Sequence, residues 1–156
     1  MNEETIGKQV LDAAFKVHTA LGPGLLESVY ESALALELAK QGLKLERQKE
    51  IRAVYEGTVL DIGFRADLIV QEAVLVELKS VEVLLPVHKK TTNTYLRLIP
   101  LKLGFLINFN EVHLKDGIVR VVNGLEGKPF FGVDLHKGPA RSIVSREETK
   151  EAKDSL

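Results

Sequence analysis

Cysteine is absent from the chain, which removes disulfide frameworks and thiolate metal sites from consideration. Long apolar runs are missing as well: uncharged stretches such as Val83 to Val87 or Gly104 to Ile107 fall far short of the roughly 20 residues that a membrane-spanning helix needs. The N-terminus, MNEETIGKQV, has two acids before its first Lys and no apolar segment behind a basic start, so no signal peptide is readable and a cytoplasmic location is the default expectation. An excess of either charge is lacking too. The formal net charge of -1 gives no global attraction to nucleic acid, and any such binding has to come from a local patch. Acids are missing from residues 83 to 104, where Lys89, Lys90, Arg97 and Lys102 fall together. That stretch is one candidate patch; a solvated helix face with its cations near the end is the other reading.

What is present suits one folded domain. The chain has 156 residues, 45% apolar and 28% charged, enough to bury a proper core. Ile6, Val10, Ala13, Ala14 and Val17 have helical spacing, which predicts an amphipathic helix from Thr5 to about Leu21. Gly22-Pro23-Gly24 breaks it. A second helix is expected from Leu25 to about Gln41, with Val29, Ala33, Leu36 and Ala39 marking its turns and Gly42 stopping it. From Leu43 the period shortens to that of strands: one through Leu45, Ile51 and Tyr55, a turn at Glu56-Gly57, a second from Val59 to Val70 bent at Gly63, and a third from Val74 to Ser80. A basic helix follows Pro86 from about His88 to Leu98. Two more strands, Gly104 to Phe109 and Ile118 to Val122, close the order around an Asp116-Gly117 turn. Residues 1–124 form the expected domain. Residues 125–156 read as an appendage that is partly flexible, with Phe130 and Phe131 docked on the body and a charged run at the end.

Within this plan the stretch ADLIVQEAVLVELKS, residues 66 to 80, combines a core-like run of Val, Leu and Ile with Asp67, Glu77 and Lys79. Alternation along a strand places Phe64, Ala66, Leu68 and Val70 on one face, and Arg65, Asp67 and Ile69 on the other. Leu75, Glu77 and Lys79 share a face of the next strand. If Gln71-Glu72-Ala73 is a three-residue hairpin loop, Asp67 lies opposite Glu77 and Arg65 opposite Lys79; a two-residue loop would send the acids to opposite faces. Two carboxylates about 5 Å apart repel. A hard divalent cation reverses that sign, since Mg²⁺ takes one or two carboxylates with water and phosphate. Lys79 could orient a water or stabilise charge developing on phosphorus. A surface hairpin with Glu-Lys pairs is the plainer alternative.

Asp67, nine intervening residues and then Glu77-Leu78-Lys79 resemble the D…(D/E)xK signature of the PD-(D/E)xK nuclease superfamily. The N-terminal half adds Gly24-Leu25-Leu26-Glu27-Ser28-Val29-Tyr30, the G-x-x-E-x-x-Y string of the GxxExxY protein family, a branch of that superfamily. The likeness runs over about residues 5 to 123, through the YEG turn, RADLIV, VELKS, TYLRL and GFLINF. It implies an α/β fold with a restriction-endonuclease-like core, a mixed central β-sheet flanked by helices. It further implies a nuclease that hydrolyses phosphodiester bonds of nucleic acid with metal-activated water, using Mg²⁺ or Mn²⁺ in its place. Glu27, Asp67, Glu77 and Lys79 match the catalytic set, with Asp67 and Glu77 as paired metal ligands and Glu27 joining them directly or through water. Glu27 and Tyr30 are expected to share a helix face and point to one cleft. One departure stands out: relatives commonly carry Gln four residues before the Tyr of the helix after the lysine strand, and here Thr91 precedes Tyr95.

The expected nucleic-acid contacts are Lys89, Lys90, Arg97, Tyr95, Tyr30 and Thr91, for DNA or RNA alike. One small subunit cutting both strands of a duplex would need a symmetric homodimer. A catalytically weak module of the same fold, binding nucleic acid or a protein partner, is the alternative function. Other constellations fall short. Gly22 and Gly24 lack the third glycine and preceding strand of a dinucleotide fingerprint. His18, His88, His113 and His136 lack zinc-ligand spacing.

Overall fold

A computed structural model of the chain describes residues 1–125, the side chain of Ile62 apart. The appendage expected beyond residue 125, including the docking of Phe130 and Phe131, lies outside the described residues. Helix α1 (Glu3–Leu21) begins where the Asn2 side chain accepts from the Thr5 amide at 2.9 Å, and it ends at Gly22, whose φ of 72° suits glycine. Its expected apolar stripe is the buried one: Ile6, Val10, Ala13, Ala14 and Val17 are all in the core. No helix among the described residues is long and apolar enough to cross a membrane.

Helix α2 (Glu27–Lys40) corrects the expectation. Its buried face is Tyr30, Glu31, Leu34, Ala35 and Leu38, while Val29 and Leu36 are exposed. Apolar residues surround this helix almost evenly, so spacing alone does not choose a face; packing on α1 and the sheet does. The strands are β1 (Leu45–Tyr55), β2 (Thr58–Val70), β3 (Val74–Lys79), β4 (Leu103–Asn108) and β5 (Ile118–Val122), in the spatial order β1-β2-β3-β4-β5. Only β3 and β4 are parallel, and helix α3 (Pro86–Leu98) makes the crossover between them. A short 3₁₀ turn, Leu114–Gly117, precedes β5. The larger core lies between the sheet and α1 with α2; the smaller one, Ala66, Ile69, Leu75, Leu96 and Val121, lies beneath α3. The sheet is thus mixed and helix-covered on both faces.

The hairpin register agrees with the three-residue loop. Val70 pairs with Val74, Ile69 with Leu75 and Leu68 with Val76, and Gln71 and Glu72 both take φ of 54° to turn the chain. The ladder then stops, so Arg65 and Lys79 are not a pair. On the other side, β1 and β2 keep one register from Leu45↔Val70 to Arg52↔Gly63, except for a missing rung at Gln48 and Asp67. Gln48 has φ of 50°, a left-handed conformation costing about 1–2 kcal/mol for a residue with a Cβ. Alternation does not carry through that rung. Ala66 packs beneath α3 with Ile69 and Leu75, whereas Leu68 and Val70 pack toward α1 and α2. The expectation that Phe64, Ala66, Leu68 and Val70 share a face therefore fails at Asp67.

Tyr30 fixes the corner between α1 and α2. Its hydroxyl donates to the Gly22 carbonyl and accepts from the Leu25 amide at 3.1 Å, and its ring stacks on Phe109 with centroids 4.7 Å apart. Gly24, at φ of 98°, makes the turn between those two anchor points. Three residues later α2 starts at Glu27. Tyr30→Phe keeps the stacked ring and deletes both hydrogen bonds, and is expected to cost about 1–2 kcal/mol in chemical denaturation. An unchanged midpoint would show that the corner holds without them.

Candidate active site

Asp67 and Glu77 are brought together where the β2–β3 ladder ends, one rung beyond Leu68 and Val76. In place of backbone pairing, the two residues exchange side-chain bonds. The Asp67 amide donates to Glu77 Oε2 at 3.0 Å, and the Leu78 amide donates to Asp67 Oδ2 at 2.9 Å. Each carboxylate thus caps a backbone donor of the opposite strand. Because β3 is a central strand covered on both faces, Glu77 retains only 8% of its surface.

Burial dominates the electrostatics. It pushes the Glu77 carboxyl up from 4.5 to about 8, and the charge of Asp67 adds to the rise, while the Asp67 amide and Lys79 act the other way. Asp67 is raised as well, first by burial, against the opposing hydrogen bonds from Leu78 and Gln48. Near neutrality the two carboxyls do not both ionise easily, and the protons they bind belong to the pair. Such a donor set fits a hard divalent cation, which restores both charges at once.

Lys79 ends β3, beside Asn108 of β4. Its side chain is half-buried and makes no ion pair among the described residues. Its charge is felt by Glu77 and by His88. The exit of the strand is held by Asn108, fully buried, whose Oδ1 accepts from the Val81 amide at 3.0 Å and whose Nδ2 donates to the Val81 carbonyl at 2.9 Å. Ser80 Oγ donates to the Leu25 carbonyl at 2.6 Å, tying this exit to the α1–α2 corner. The lysine is therefore carried by a braced backbone.

Glu27 is exposed in the first turn of α2 and acts on both Asp67 and Glu77 through space. No group of three or more His, Cys, Asp or Glu side chains among the described residues is close enough to hold an ion. Glu27 therefore does not form such a group with Asp67 and Glu77. The expectation that Glu27 and Tyr30 both point into the cleft fails too, since Tyr30 is fully buried in the corner and is not available to nucleic acid.

Sequence reasoning missed two residues. Glu31, one turn beyond Glu27, has 8% exposure and accepts from Arg47 Nε at 3.0 Å. Its charge raises Asp67 more than that of Glu27 does. Gln48 Nε2 donates to Glu31 Oε1 at 2.6 Å and to Asp67 Oδ1 at 3.3 Å. The i, i+4 spacing of Glu27 and Glu31 was a usable signal; Gln48 offers none, because its partners are distant in sequence.

On α3, Pro86 sits in the first turn and His88 Nδ1 accepts from the Leu85 amide at 3.0 Å. That bond leaves the ring proton on Nε2. Burial, then Lys79, lowers the pKa of His88 and keeps the ring neutral at pH 7. Lys90 is exposed, Lys89 and Thr91 are partly so, and Arg97 Nη2 donates to Thr94 Oγ1 at 3.4 Å near the helix end. Tyr95 stacks on Phe64 with centroids 4.1 Å apart, and burial with the charges of Glu77 and Asp67 raises its hydroxyl pKa. His18 is structural: its Nε2 lies 2.8 Å from the Glu111 carbonyl.

A family model described as the PD-(D/E)XK nuclease superfamily matches residues 4–121. No curated protein and no solved structure matches the chain.

Proposed function

The chain belongs to the PD-(D/E)XK nuclease superfamily, and from that premise we propose that it is a Mg²⁺-dependent phosphodiesterase of nucleic acid, with Mn²⁺ as a working substitute. The observation that carries this reading is the pair Asp67 and Glu77, crossed at the end of a ladder, with Glu77 pushed up to about 8 and Lys79 two residues on without an ion-pair partner among the described residues. Asp67 and Glu77 would hold the ion, and Glu27 would reach it through water. A divalent ion there supplies positive charge to the phosphoryl oxygens and lowers the pKa of a nearby water.

The remaining roles belong to the chain. Lys79 orients the nucleophile and stabilises charge that develops on the phosphoryl group. Lys89, Lys90 and Arg97 offer cations to the flanking backbone phosphates, and Thr91 and Tyr95 of the same helix would lie beside the bound strand. The GxxExxY branch is the part of the superfamily that the Gly24, Glu27 and Tyr30 string supports. A second reading, a module that binds nucleic acid or a protein partner without cleaving, is favoured by the stand-off of Glu27 and by the short side chain of Thr91.

Two measurements test the proposal. Calorimetric titration with Mn²⁺ should find one site that vanishes in Asp67→Ala. Incubation with single- and double-stranded DNA and RNA plus Mn²⁺ should yield cleavage that EDTA stops. A Mn²⁺ isotherm unaltered by Asp67→Ala would refute the ion site, and binding of nucleic acid without cleavage would select the second reading.

A further inference from the structure

Gln48 stands at a rung where neither strand pairs, although the β1–β2 register is the same on both sides of it. It is exposed, so core packing does not force its φ of 50°. A residue with a Cβ held in the left-handed region is expected to have a local reason for being there. The visible reason is the side-chain amide. From this backbone its Nε2 reaches Glu31 Oε1 at 2.6 Å and Asp67 Oδ1 at 3.3 Å, while Asp67 Oδ2 is engaged by the Leu78 amide at 2.9 Å. Glu31 is itself held by Arg47 Nε at 3.0 Å, and Arg47 Nη2 donates to Ser32 Oγ at 3.1 Å.

The geometry points to Gln48 as a positioning residue for Asp67, anchored on α2 by Glu31, that sets how strongly the Asp67–Glu77 pair holds a divalent ion. The inference rests on the reading of that pair as the ion site. One amide donor group placed between two carboxylates serves two ends. It fixes the rotamer of Asp67 from the side away from Leu78, and it offsets the repulsion between Asp67 and Glu31 without adding a cation that would compete with the ion. Partners of this kind, which do not touch the ion but hold a ligand to it, typically change affinity by roughly 10- to 100-fold when removed.

Gln48→Gly separates this role from a merely structural one. Glycine adopts the left-handed backbone without strain, so the variant keeps the conformation of this unpaired rung and loses the side chain with its amide. We expect a folded variant with a cooperative melting transition, Mn²⁺ affinity about tenfold weaker by calorimetry, and a Leu78 amide that exchanges its hydrogen about tenfold faster in the ion-free protein, as Asp67 loosens. Glu31→Gln, which retains an acceptor for Gln48, should keep Mn²⁺ affinity close to that of the wild type, whereas Glu31→Leu should lose affinity as Gln48→Gly does. Wild-type Mn²⁺ affinity or a wild-type Leu78 exchange rate in Gln48→Gly overturns the inference. A wild-type protein that binds no Mn²⁺ overturns the ion-site reading instead, and this inference with it.

Discussion

Lys79→Ala is expected to lower the single-turnover rate of phosphodiester cleavage by about 10²–10³-fold, with the folded state left nearly intact and Mn²⁺ bound nearly as well once the pH is high enough to ionise the pair. Each part of that expectation has a source in the geometry. The ammonium makes no ion pair among the described residues, so its removal strands no carboxylate partner. Its backbone is held by the rung to Asn108 and by the Phe109 amide donating to the Lys79 carbonyl at 2.9 Å, contacts that alanine keeps. What disappears is a positive charge beside Glu77, and that loss has a second signature. Lys79 lowers the pKa of Glu77, so in the variant the pair should take up its ion only at higher pH. Arginine should rescue the pH profile better than the rate, because it keeps the charge but replaces a compact ammonium with a wide planar fork. Cleavage by Lys79→Ala at the wild-type rate would remove the lysine from the chemistry, whatever the ion does.

Why the sequence revealed some of this site and hid the rest follows from the range over which each feature is determined. The hairpin register was legible because a short loop between two apolar runs, Val70 and Val74, fixes pairing locally, and the acids followed from it by counting. The corner was legible from Gly22-Pro23-Gly24 for the same reason. The face of α2 was not, since Val29 and Leu36 are as apolar as Leu34 and Leu38, and only α1 and the sheet decide between them. Tyr30 looked like a cleft residue three positions from Glu27, yet its partners Gly22, Leu25 and Phe109 draw it inward. Alternation misassigned Ala66 because it counts through a regular backbone, and the Gln48–Asp67 rung is not regular. Glu31 and Gln48 escaped because their roles exist only once β1 lies against α2. Long-range contacts between polar side chains leave no period in a sequence.

The stability of the ion-free protein should fall as pH rises from 5 to 8.5, the reverse of ordinary acid denaturation. The sign follows from Glu77, whose pKa in the fold is about 8 against 4.5 in the unfolded chain. Below 4.5 both states hold the proton and nothing is lost; between 4.5 and 8 the fold retains a proton that the unfolded chain has released, so each pH unit weakens the fold by up to about 1.4 kcal/mol. Solvent relaxation reduces the sum to the order of 3 kcal/mol, or roughly 10 °C in melting temperature in EDTA. Asp67, also raised, adds to the decline. His88 opposes it only at the lower end, since a base whose pKa is lowered from 6.5 favours the fold as pH rises toward that value and adds nothing further above it, while Glu37, lowered by Lys16, acts only in the acid range. Glu77→Gln isolates the dominant group: it keeps an acceptor for the Asp67 amide and cannot ionise, so its stability should fall much less steeply over the same range. Mn²⁺ added to the wild type at pH 8 should recover most of the lost stability and expel a proton, detectable as a dependence of the binding heat on the ionisation heat of the buffer. Parallel slopes for wild type and Glu77→Gln would mean that Glu77 is already ionised in the fold, and that the crossed pair needs no cation to exist at neutral pH.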